Sequence, residues 1–571
     1  MSLEAALNAA ISGLRVNQAH VQLVSANVAH ANDPGYTKKT LVRETAFLGD
    51  DQAGGVQIAG YQATISASLR RQFETFTSSD GLTQTQQEYL GRIQDLLGAS
   101  SDTAALPQLL NQFTAAWQSF QSQPESAAAQ HQVVALGDQL AAEVRRLSAG
   151  VDQIDSDIRG DLDKATDDLN DKLAKVFELN LRIKSSDPNG VERLDLIDQR
   201  DGLVREIAGL VDVRSVEREN GAIALFTPSG LSLLDGAPAR FDFDGTNVVS
   251  VDSGQSVNGL LREGKIKALL NLRYDGTSAG QPASADPASE VIRKLRSQLD
   301  TIVNAFTTTT GSPATFASAY NNSTGSLRIS ASSLTTVQPG VSTPQMSTVS
   351  LKGSLVEGDV FEVTVNGKTF SYTATQNDTN LDQIAQKLTS LINADTTLGV
   401  TAINGTGSLQ LVASNTNTPF TVVTSTNGQL PELSQSFFVN ADRYTFTVNK
   451  DLLAGTQQLK KNSAPDVVTA LNSNDRNFIA VGLSLTNVSY KGLMSGIIGT
   501  SSTNAKVVSD NAKLNADTLQ MTEQRYQQDT GVNLDEELAN LQLLQNAYAA
   551  SARLITVVQT LFDTLQAAVS R

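Results

Sequence analysis

Apolar residues recur at heptad spacing near both ends of the chain. The N-terminal row comprises Leu3, Leu7, Ala10, Leu14, Asn17, Val21, Val24 and Val28. The C-terminal row comprises Leu534, Leu538, Leu541, Leu544, Tyr548, Ile555, Val558, Phe562 and Leu565. Spacings of three and four are typical of helices that pack along a narrow seam against other helices. The pattern predicts long terminal helices that form a coiled-coil base.

The first helix is expected to stop within the stretch SANVAHANDPGY, residues 25–36. Pro34 lacks a backbone N–H and disfavours helical angles at Asp33, while Gly35 suits a tight turn. Tyr36 then begins an extended segment with a large ring that can anchor it. We expect this turn to set the angle between the terminal helices and the outer domains, and not to bind a ligand.

Further long helices are predicted at residues 81–122 and 127–185, separated by Pro124. A shorter helix is predicted at residues 193–211. Beyond it, alternation with a period of two and turn dipeptides such as Asn220-Gly221 indicate hairpins.

Residues 345–430 have the pattern of a separate inserted module. A hairpin turning on Asn366-Gly367 is followed by a predicted helix and two further strands.

These elements predict a multidomain α+β protein, with long terminal α-helices forming a coiled-coil base, a helical middle domain and β-rich outer domains that include an α/β insert. The expected domains are a terminal coiled coil with an extended linker (1–75 and 530–571), a mainly helical rod domain (76–215 and 480–529), a β-rich domain (216–344 and 431–479) and the insert (345–430).

Composition narrows the possible partners. The 571 residues carry a formal net charge of -16, which disfavours binding to nucleic acid or an anionic membrane surface. Cysteine is absent, so disulfides and thiol catalysis are excluded. The chain contains neither the run of about 20 apolar residues that a membrane span requires nor a Sec-type N-terminus.

The sequence offers little for catalysis. The three histidines, His20, His30 and His131, have no metal-ligand spacing, and there is no nucleophile elbow or P-loop. An acidic cluster at residues 152–171 interleaves with an apolar stripe and is interpreted as a solvated helix face. We therefore assign no catalytic, cofactor or metal residues. A glycosidase with two distant carboxylates stays an open alternative that nothing in the sequence favours.

The N-terminal stretch SGLRVNQAHVQLVSANVAHANDPGY, residues 12–36, resembles the signature of bacterial flagellar rod, hook and hook-associated axial proteins. His30 and Asp33 depart from the usual pattern. The matching residues are Ser12, Gly13, Leu14, Asn27, Ala29, Asn32, Pro34, Gly35 and Tyr36.

Two further stretches are similar to the hook-associated members of this family in particular. They are TGVNLDEELANLQLLQNAYAASARLITVVQTLFDTLQAAV at residues 530–569 and LDLIDQRDGLVREIA at residues 194–208. The resemblance implies a non-enzymatic axial subunit that joins hook to filament by polymerising through its terminal helices. It also implies that residues 345–430 are a variable insert. Another axial subunit, such as hook protein, or an adhesin or enzyme carried on the insert, is the alternative.

The resemblance also implies partners and location. These are self-assembly into a ring or tube, hook protein on one side, the second junction protein or filament on the other, and an export chaperone at the C-terminal helix. The protein would be secreted to the extracellular flagellum by the type III apparatus without a cleaved signal peptide. Seams this narrow bury little surface, so we expect residues 1–35 and 535–571 to be disordered before assembly.

Two sets of residues are expected to act in assembly. The interface set is Leu3, Leu7, Leu14, Val21, Val28, Leu534, Leu538, Leu541, Tyr548, Ile555, Phe562 and Leu565. The turn set is Asn27, Asn32, Pro34, Gly35 and Tyr36.

Overall fold

The structure is a computed structural model. It describes residues 3–33, 35–48, 52–64, 66–273, 287–311, 313–322, 329–334, 344–352, 355, 357–415, 419–426 and 435–569. Side chains are described for all of these except residues 3–6, 47–48, 52–54, 322, 329–334 and 567–569.

The chain folds into two compact units, each built from separate stretches of sequence. The first unit contains Met1–Gly91, Ile154–Val291 and Asn504–Arg571, and the second contains Arg92–Gln153 and Ile292–Thr503. The boundaries of the four expected domains stay a prediction.

Helices dominate the described residues. They are α1 (Leu3–Ala29), α2 (Ala67–Leu97), α3 (Leu106–Ser122), α4 (Ala127–Ser185), α5 (Val191–Leu210), α6 (Lys265–Arg273), α7 (Val291–Thr307), α8 (Phe316–Asn322), α9 (Leu381–Asn393), α10 (Lys450–Leu453), α11 (Ala464–Asn472), α12 (Tyr490–Thr530) and α13 (Leu534–Val569). Short 3-10 helices lie at Asn258–Leu260 and Lys461–Ser463.

The strands form small antiparallel sheets. In chain order they are β1 (Lys39–Leu48), β2 (Gln52–Ala63), β3 (Arg214–Glu217), β4 (Ile223–Phe226), β5 (Ser232–Asp235), β6 (Ala237–Pro238), β7 (Phe241–Phe243), β8 (Val248–Ser250), β9 (Ile329–Leu334), β10 (Met346–Leu351), β11 (Val360–Val365), β12 (Lys368–Thr373), β13 (Val400–Gly405), β14 (Ser408–Ala413), β15 (Val422–Thr426), β16 (Phe438–Val439), β17 (Thr447–Val448), β18 (Arg476–Ala480) and β19 (Leu483–Val488).

The longest predicted helix is confirmed. Helix α4 begins and ends at the predicted residues 127 and 185, and its apolar stripe, including Val151, Ile158 and Leu173, is fully buried. This burial follows from the helical period, which places residues three, four and seven apart on one face.

One helix prediction is wrong. Residues 81–122 form two helices, because α2 ends at Leu97 and α3 begins at Leu106. Gly98 has a φ of 69°, which suits glycine, and its N–H still bonds to the Gln94 carbonyl at the end of α2. Pro107, in the first turn of α3, is tolerated where no N–H partner is needed.

The segment after the first turn is a hairpin and not only an extended linker. Strands β1 and β2 pair from Lys39 with Ala63 to Leu48 with Gln52, and two irregularities interrupt the register. Helix α1 packs on β2. Gly55 permits this contact, since a Cβ at that position would overlap the Ser12 side chain.

The insert contains α9 and two sheets around its own core, and β9, which precedes the insert in the sequence, joins one of these sheets. The strand orders are β13-β14-β10-β9 and β12-β11-β15. The predicted turn between β11 and β12 is confirmed, with Asn366 and Gly367 both at positive φ (49° and 79°). Apolar residues of α9, such as Ile384 and Leu388, pack against the sheet residues Phe361 and Leu409. Strands β9, β10 and β13 were not predicted.

In the described part of the chain, none of the helices combines the length and the apolar character needed to cross a bilayer.

Candidate functional site at the base of the terminal helices

The terminal helices α1 and α13 pack against each other in the first unit. Asn27, near the end of α1, donates from Nδ2 to Oε2 of Glu537 in the first turn of α13, at 3.1 Å. The end of one helix thus meets the start of the other, so the two helices run antiparallel.

A narrow row of side chains is buried where α1 and α13 pack. On α13 the buried members are Glu537, Leu544 and Val558, which lie seven and fourteen residues apart. On α1, which also packs on β1 and β2, the buried residues are Val16, Leu23, Val24 and Asn27. A seam this narrow is characteristic of helices that reserve other faces for other partners.

The turn after α1 is fixed by hydrogen bonds. The Asp33 carbonyl accepts from the Tyr36 N–H at 3.1 Å, and the Asp33 carboxylate accepts from the Gly35 N–H at 2.9 Å. Aspartate favours turns through this second type of bond. Pro34 lies outside the described residues.

The Tyr36 ring lies against the end of α1. Its hydroxyl donates to Asn27 Oδ1 at 2.8 Å, and its ring stacks on that of His30 with centroids 4.9 Å apart. These contacts are consistent with the prediction that the Tyr36 ring anchors the chain where it leaves α1.

Asn27 uses its whole amide group and is only 1% exposed. Besides binding Glu537, Nδ2 donates to the Lys39 carbonyl at 2.9 Å, while Oδ1 accepts from the Lys39 N–H at 3.3 Å and from Tyr36. A buried polar group is stable only when its hydrogen bonds are satisfied. Aspartate or leucine could not provide this combination of donors and acceptors.

Lys38 connects the departing chain to α13. Its Nζ lies 2.9 Å from Glu536 and 3.1 Å from Glu537, and its N–H donates to the Thr530 carbonyl at 2.7 Å. Burial opposes the charge on Lys38, but the two carboxylates outweigh it and raise the pKa of the lysine. Lys38 therefore stays protonated at neutral pH.

Lys39 connects the same segment to α5. Its side chain is fully buried, and Nζ pairs with Asp195 and, at 3.0 Å, with Asp198, while lying 3.8 Å from the Tyr36 ring centroid. Burial lowers the pKa of Lys39, but the aspartates more than compensate and raise it. Thr37 Oγ1 also donates to Asp198, at 2.6 Å.

We name these contacting side chains the base cluster: Asn27, Tyr36, Lys38, Lys39, Asp195, Asp198 and Glu537. It brings together α1, the departing chain, α5 and α13, which lie up to 510 residues apart in the sequence. In this cluster two lysines pair with three carboxylates, and the buried amide of Asn27 has hydrogen bonds at both its oxygen and its nitrogen.

A second buried network lies on α5, two residues beyond Asp198. Arg200 donates to its neighbour Asp201 and to the Gly221 carbonyl, and Arg70 of α2 lies 2.9 Å from Asp201. Glu74 is 2% exposed, and its burial raises its pKa to about 7 despite the nearby Arg70.

The structure places the predicted interface residues in two environments. Leu7, Leu14, Val21, Val28, Leu541 and Ile555 are half-buried, whereas Leu534, Leu538, Tyr548, Phe562 and Leu565 are exposed. The side chain of Leu3 lies outside the described side chains. Their role as an assembly interface stays a prediction.

Asn32 of the turn set does not join the base cluster. It is exposed and lines a polar surface cleft of about 430 Å³ with Asp33, Tyr36 and six residues between positions 524 and 532. The described residues show no hydrogen bond that explains why asparagine occupies this position.

A metal site would require several ligating side chains close together. Among the described residues, no group of three or more His, Asp or Glu side chains could hold a metal ion.

One aspartate of the acidic cluster at residues 152–171, Asp155, is buried. Burial opposes its ionisation, but Arg273 and Arg159 hold its pKa below the ordinary value.

Sequence reasoning missed the charged half of the base cluster. Lys38 and Lys39 directly follow the motif at residues 12–36, and Asp195 and Asp198 lie within the family-like stretch at residues 194–208. Both regions were therefore recognised, but not the contact between them. Their pairing across more than 150 residues has no local pattern.

Two family models match the chain. "Flagellar hook-associated protein FlgK helical domain" matches residues 90–326, and "Flagellar basal body rod FlgEFG protein C-terminal" matches residues 523–568. The second match contains most of α13.

Curated relatives match over almost the whole length. Flagellar hook-associated protein 1 of Salmonella typhimurium is 24% identical over 98% of this chain and 99% of the relative. The protein of the same name from Escherichia coli is 23% identical, over 98% of each chain. The one from Bacillus subtilis is 26% identical over 40% of this chain and 46% of its own length.

A solved structure is also similar in part. The flagellar hook junction protein FlgK from Burkholderia pseudomallei aligns with a TM-score of 0.45 and 12% identity, over 80% of this chain and 99% of that one. The full-length similarity to curated relatives, the matched helical domain and the matched C-terminal segment agree with one another. This chain is therefore similar, over almost its whole length, to flagellar hook-associated protein 1 of the bacterial flagellum.

Proposed function

We propose that this chain joins hook to filament by polymerising through α1 and α13, while its other domains lie outside the tube formed by these helices. The observation that carries this proposal is the apolar surface that α13 leaves exposed. Leu543 is 67% exposed, and Leu538, Leu554, Val557, Leu561, Phe562 and Leu565 are each at least half exposed.

An apolar surface of this size needs a partner. Monomeric proteins rarely expose contiguous apolar residues along a whole helix, and such surfaces mark interaction sites. Since α1 covers only one narrow row of α13, the remaining faces suit the terminal helices of neighbouring copies.

The base cluster supports the proposed geometry. It fixes the departing chain to α1, α13 and α5 at once, through Asn27, Lys38 and Lys39. We propose that it sets the angle at which the rest of the first unit leaves the tube.

The proposed partners follow from the family. They are a second copy of this chain, hook protein on one side, and the second junction protein or filament on the other. We further propose export through the flagellar type III apparatus without signal cleavage, with a chaperone covering the exposed face of α13 before assembly. The protein would then act outside the cell and without catalysis.

The experiment is deletion of the gene in the organism that encodes this chain. We expect cells that still build hooks but shed unassembled flagellin into the medium, and filaments restored by a plasmid copy. Electron microscopy of cells and immunoblots of the medium provide the measurements. Normal filaments in the deletion strain would refute the proposal.

We predict that residues 1–35 and 535–571 are disordered in the isolated subunit and become ordered on assembly. The paired seam is too narrow to compensate for the entropy of ordering two long helices. Limited proteolysis of dilute subunit should remove both ends and leave the remaining domains intact. Protection of both ends at the lowest measurable concentration would contradict this.

A further inference from the structure

Helix α12 carries an unpaired apolar row outside the terminal helices. Val507, Leu514 and Met521 lie seven residues apart and are 42%, 64% and 59% exposed. At 1.5 Å per residue they span about 21 Å along one face of the helix. We name these three residues the α12 stripe.

The opposite face of α12 makes the contacts within the first unit. Ala505, Val508 and Ala512 are buried there, and Tyr526 packs its ring 5.6 Å from that of Phe73. A hydrogen bond on the same face also joins α12 to α2, because Asn515 Nδ2 donates to Thr83 Oγ1 at 3.3 Å. The stripe is therefore not needed to hold α12 in place.

The charges beside the stripe balance. Lys506 pairs with Asp510, and Lys513 and Asp517 repeat the same spacing one heptad later. The whole chain carries a net charge of -16, but these four side chains sum to zero. Two copies of the chain can therefore approach here without repulsion between these side chains.

The size of the stripe identifies its occupant. A stable interface between free proteins buries about 800 Å² on each partner, which three side chains cannot supply. A contact this small forms only between molecules that are already held side by side, where the effective concentration is high. Copies joined through their terminal helices meet that condition.

We infer that the α12 stripe contacts a neighbouring copy of this chain in the assembled junction, and so provides a second subunit contact outside the terminal helices. This inference rests on the proposed polymerisation through α1 and α13. It adds that assembly also depends on a surface of the main body of the first unit.

The first test places a photo-crosslinking amino acid at position 514 of the full-length chain. In isolated flagella, irradiation should give an adduct of two copies of this chain, whereas dilute subunit should give none. An adduct only with a different flagellar protein, or no adduct in isolated flagella, would overturn the inference.

The second test compares Leu514→Lys with Leu181→Lys. Leu181 lies on α4 in the same unit and is 52% exposed, so it controls for a new surface charge. We expect both purified variants to keep the melting temperature of the unaltered chain. Leu514→Lys should lower the fraction incorporated into flagella by at least about fivefold relative to Leu181→Lys, because the lysine charge is desolvated at the contact.

Equal incorporation of the two variants would overturn the inference. If Leu541→Asp in the α1–α13 seam blocks assembly while Leu514→Lys does not, the stripe contact fails and the proposed function stands. If neither variant affects incorporation, both fail.

Discussion

Individual amide side chains replace missing backbone partners at several places in this protein. Asn180 of α4 donates to the Ile223 carbonyl at 2.9 Å and accepts from the Ile223 N–H at 3.1 Å. Asn393 makes the same pair of bonds with Ala402 at the edge of the insert sheet. These bonds satisfy strand groups that would otherwise be unpaired.

We predict that Asn180→Ala lowers the free energy of unfolding by about 2 kcal/mol or more, because it leaves the buried backbone groups of Ile223 without partners. Urea denaturation followed by circular dichroism measures the change. Asn511→Ala, at an exposed position of α12, is the control and should change stability by less than about 0.5 kcal/mol. Equal stability of the two variants would contradict the role of Asn180.

The residues of the turn and of the base cluster were only partly predictable. The motif identified Gly35 of the turn and Asn27 and Tyr36 of the cluster, and the structure shows hydrogen bonds from all three. The charged partners Lys39 and Asp198 depend on tertiary contacts between distant segments, which a single sequence does not encode locally.

Glu74 gives the first unit a distinctive pH dependence. Burial raises its pKa to about 7, whereas it is near 4.5 in the unfolded chain. As the pH rises from 4.5, the unfolded state loses this proton before the folded state does, so the folded state becomes less stable until the pH exceeds about 7. The total loss is up to about 3 kcal/mol.

We predict that Glu74→Gln removes this loss. Between pH 4.5 and 8 the free energy of unfolding of the unaltered chain should fall relative to that of the variant, as measured by urea denaturation across this range. Glu88→Gln, at an exposed site on the same helix, should behave like the unaltered chain. An unchanged pH slope in Glu74→Gln would show that Glu74 is ionised throughout.

At the scale of elements, the sequence predicted long helices well and short strands less well. The heptad and 3.6-residue patterns of α4 and α13 extend over many turns, so their bounds are well determined. The break between α2 and α3 was missed, although Gly98 and the polar residues after it signal it.

The β1–β2 hairpin was missed for a different reason. Its strands are interrupted by two irregularities and contain Gly55 and Gly60, so no regular alternation appears. Its position is set by packing against α1 and α5, which is a tertiary effect.

Helices α2 and α5 approach closely through glycine. A Cβ at Gly81 would overlap the Gly209 carbonyl oxygen, whereas a Cβ at Gly91 of the same helix would meet nothing within 4 Å. Both positions lie within α2, so they form a matched pair.

We predict that Gly81→Ala destabilises the first unit by about 1–3 kcal/mol through overpacking. In contrast, Gly91→Ala should stabilise it by up to about 1 kcal/mol, since alanine is the better helix former. Thermal denaturation of the two variants decides this. A stabilising effect of Gly81→Ala would mean that the helices can separate without cost.

At the scale of the whole molecule, each unit is assembled from distant parts of the sequence. The first unit combines residues from both ends of the chain with Ile154–Val291. The matching terminal heptads predicted that the two ends of the chain come together. They did not predict which internal segments join them in the first unit, because that depends on tertiary packing. We propose that the packed terminal helices drive assembly, while the other domains fold without them.

Leu541→Asp is the substitution that tests this proposal. Leu541 is half-buried on α13, between the buried residues Glu537 and Leu544, so a carboxylate there would lose hydration when the helices pack. Leu14→Asp on α1 should act in the same way. The measurement is incorporation of the variant into flagella of the deletion strain, alongside the melting temperature of the purified subunit. We expect an unchanged melting temperature, no incorporation and flagellin shed into the medium. Complete junctions that retain their filaments would contradict it.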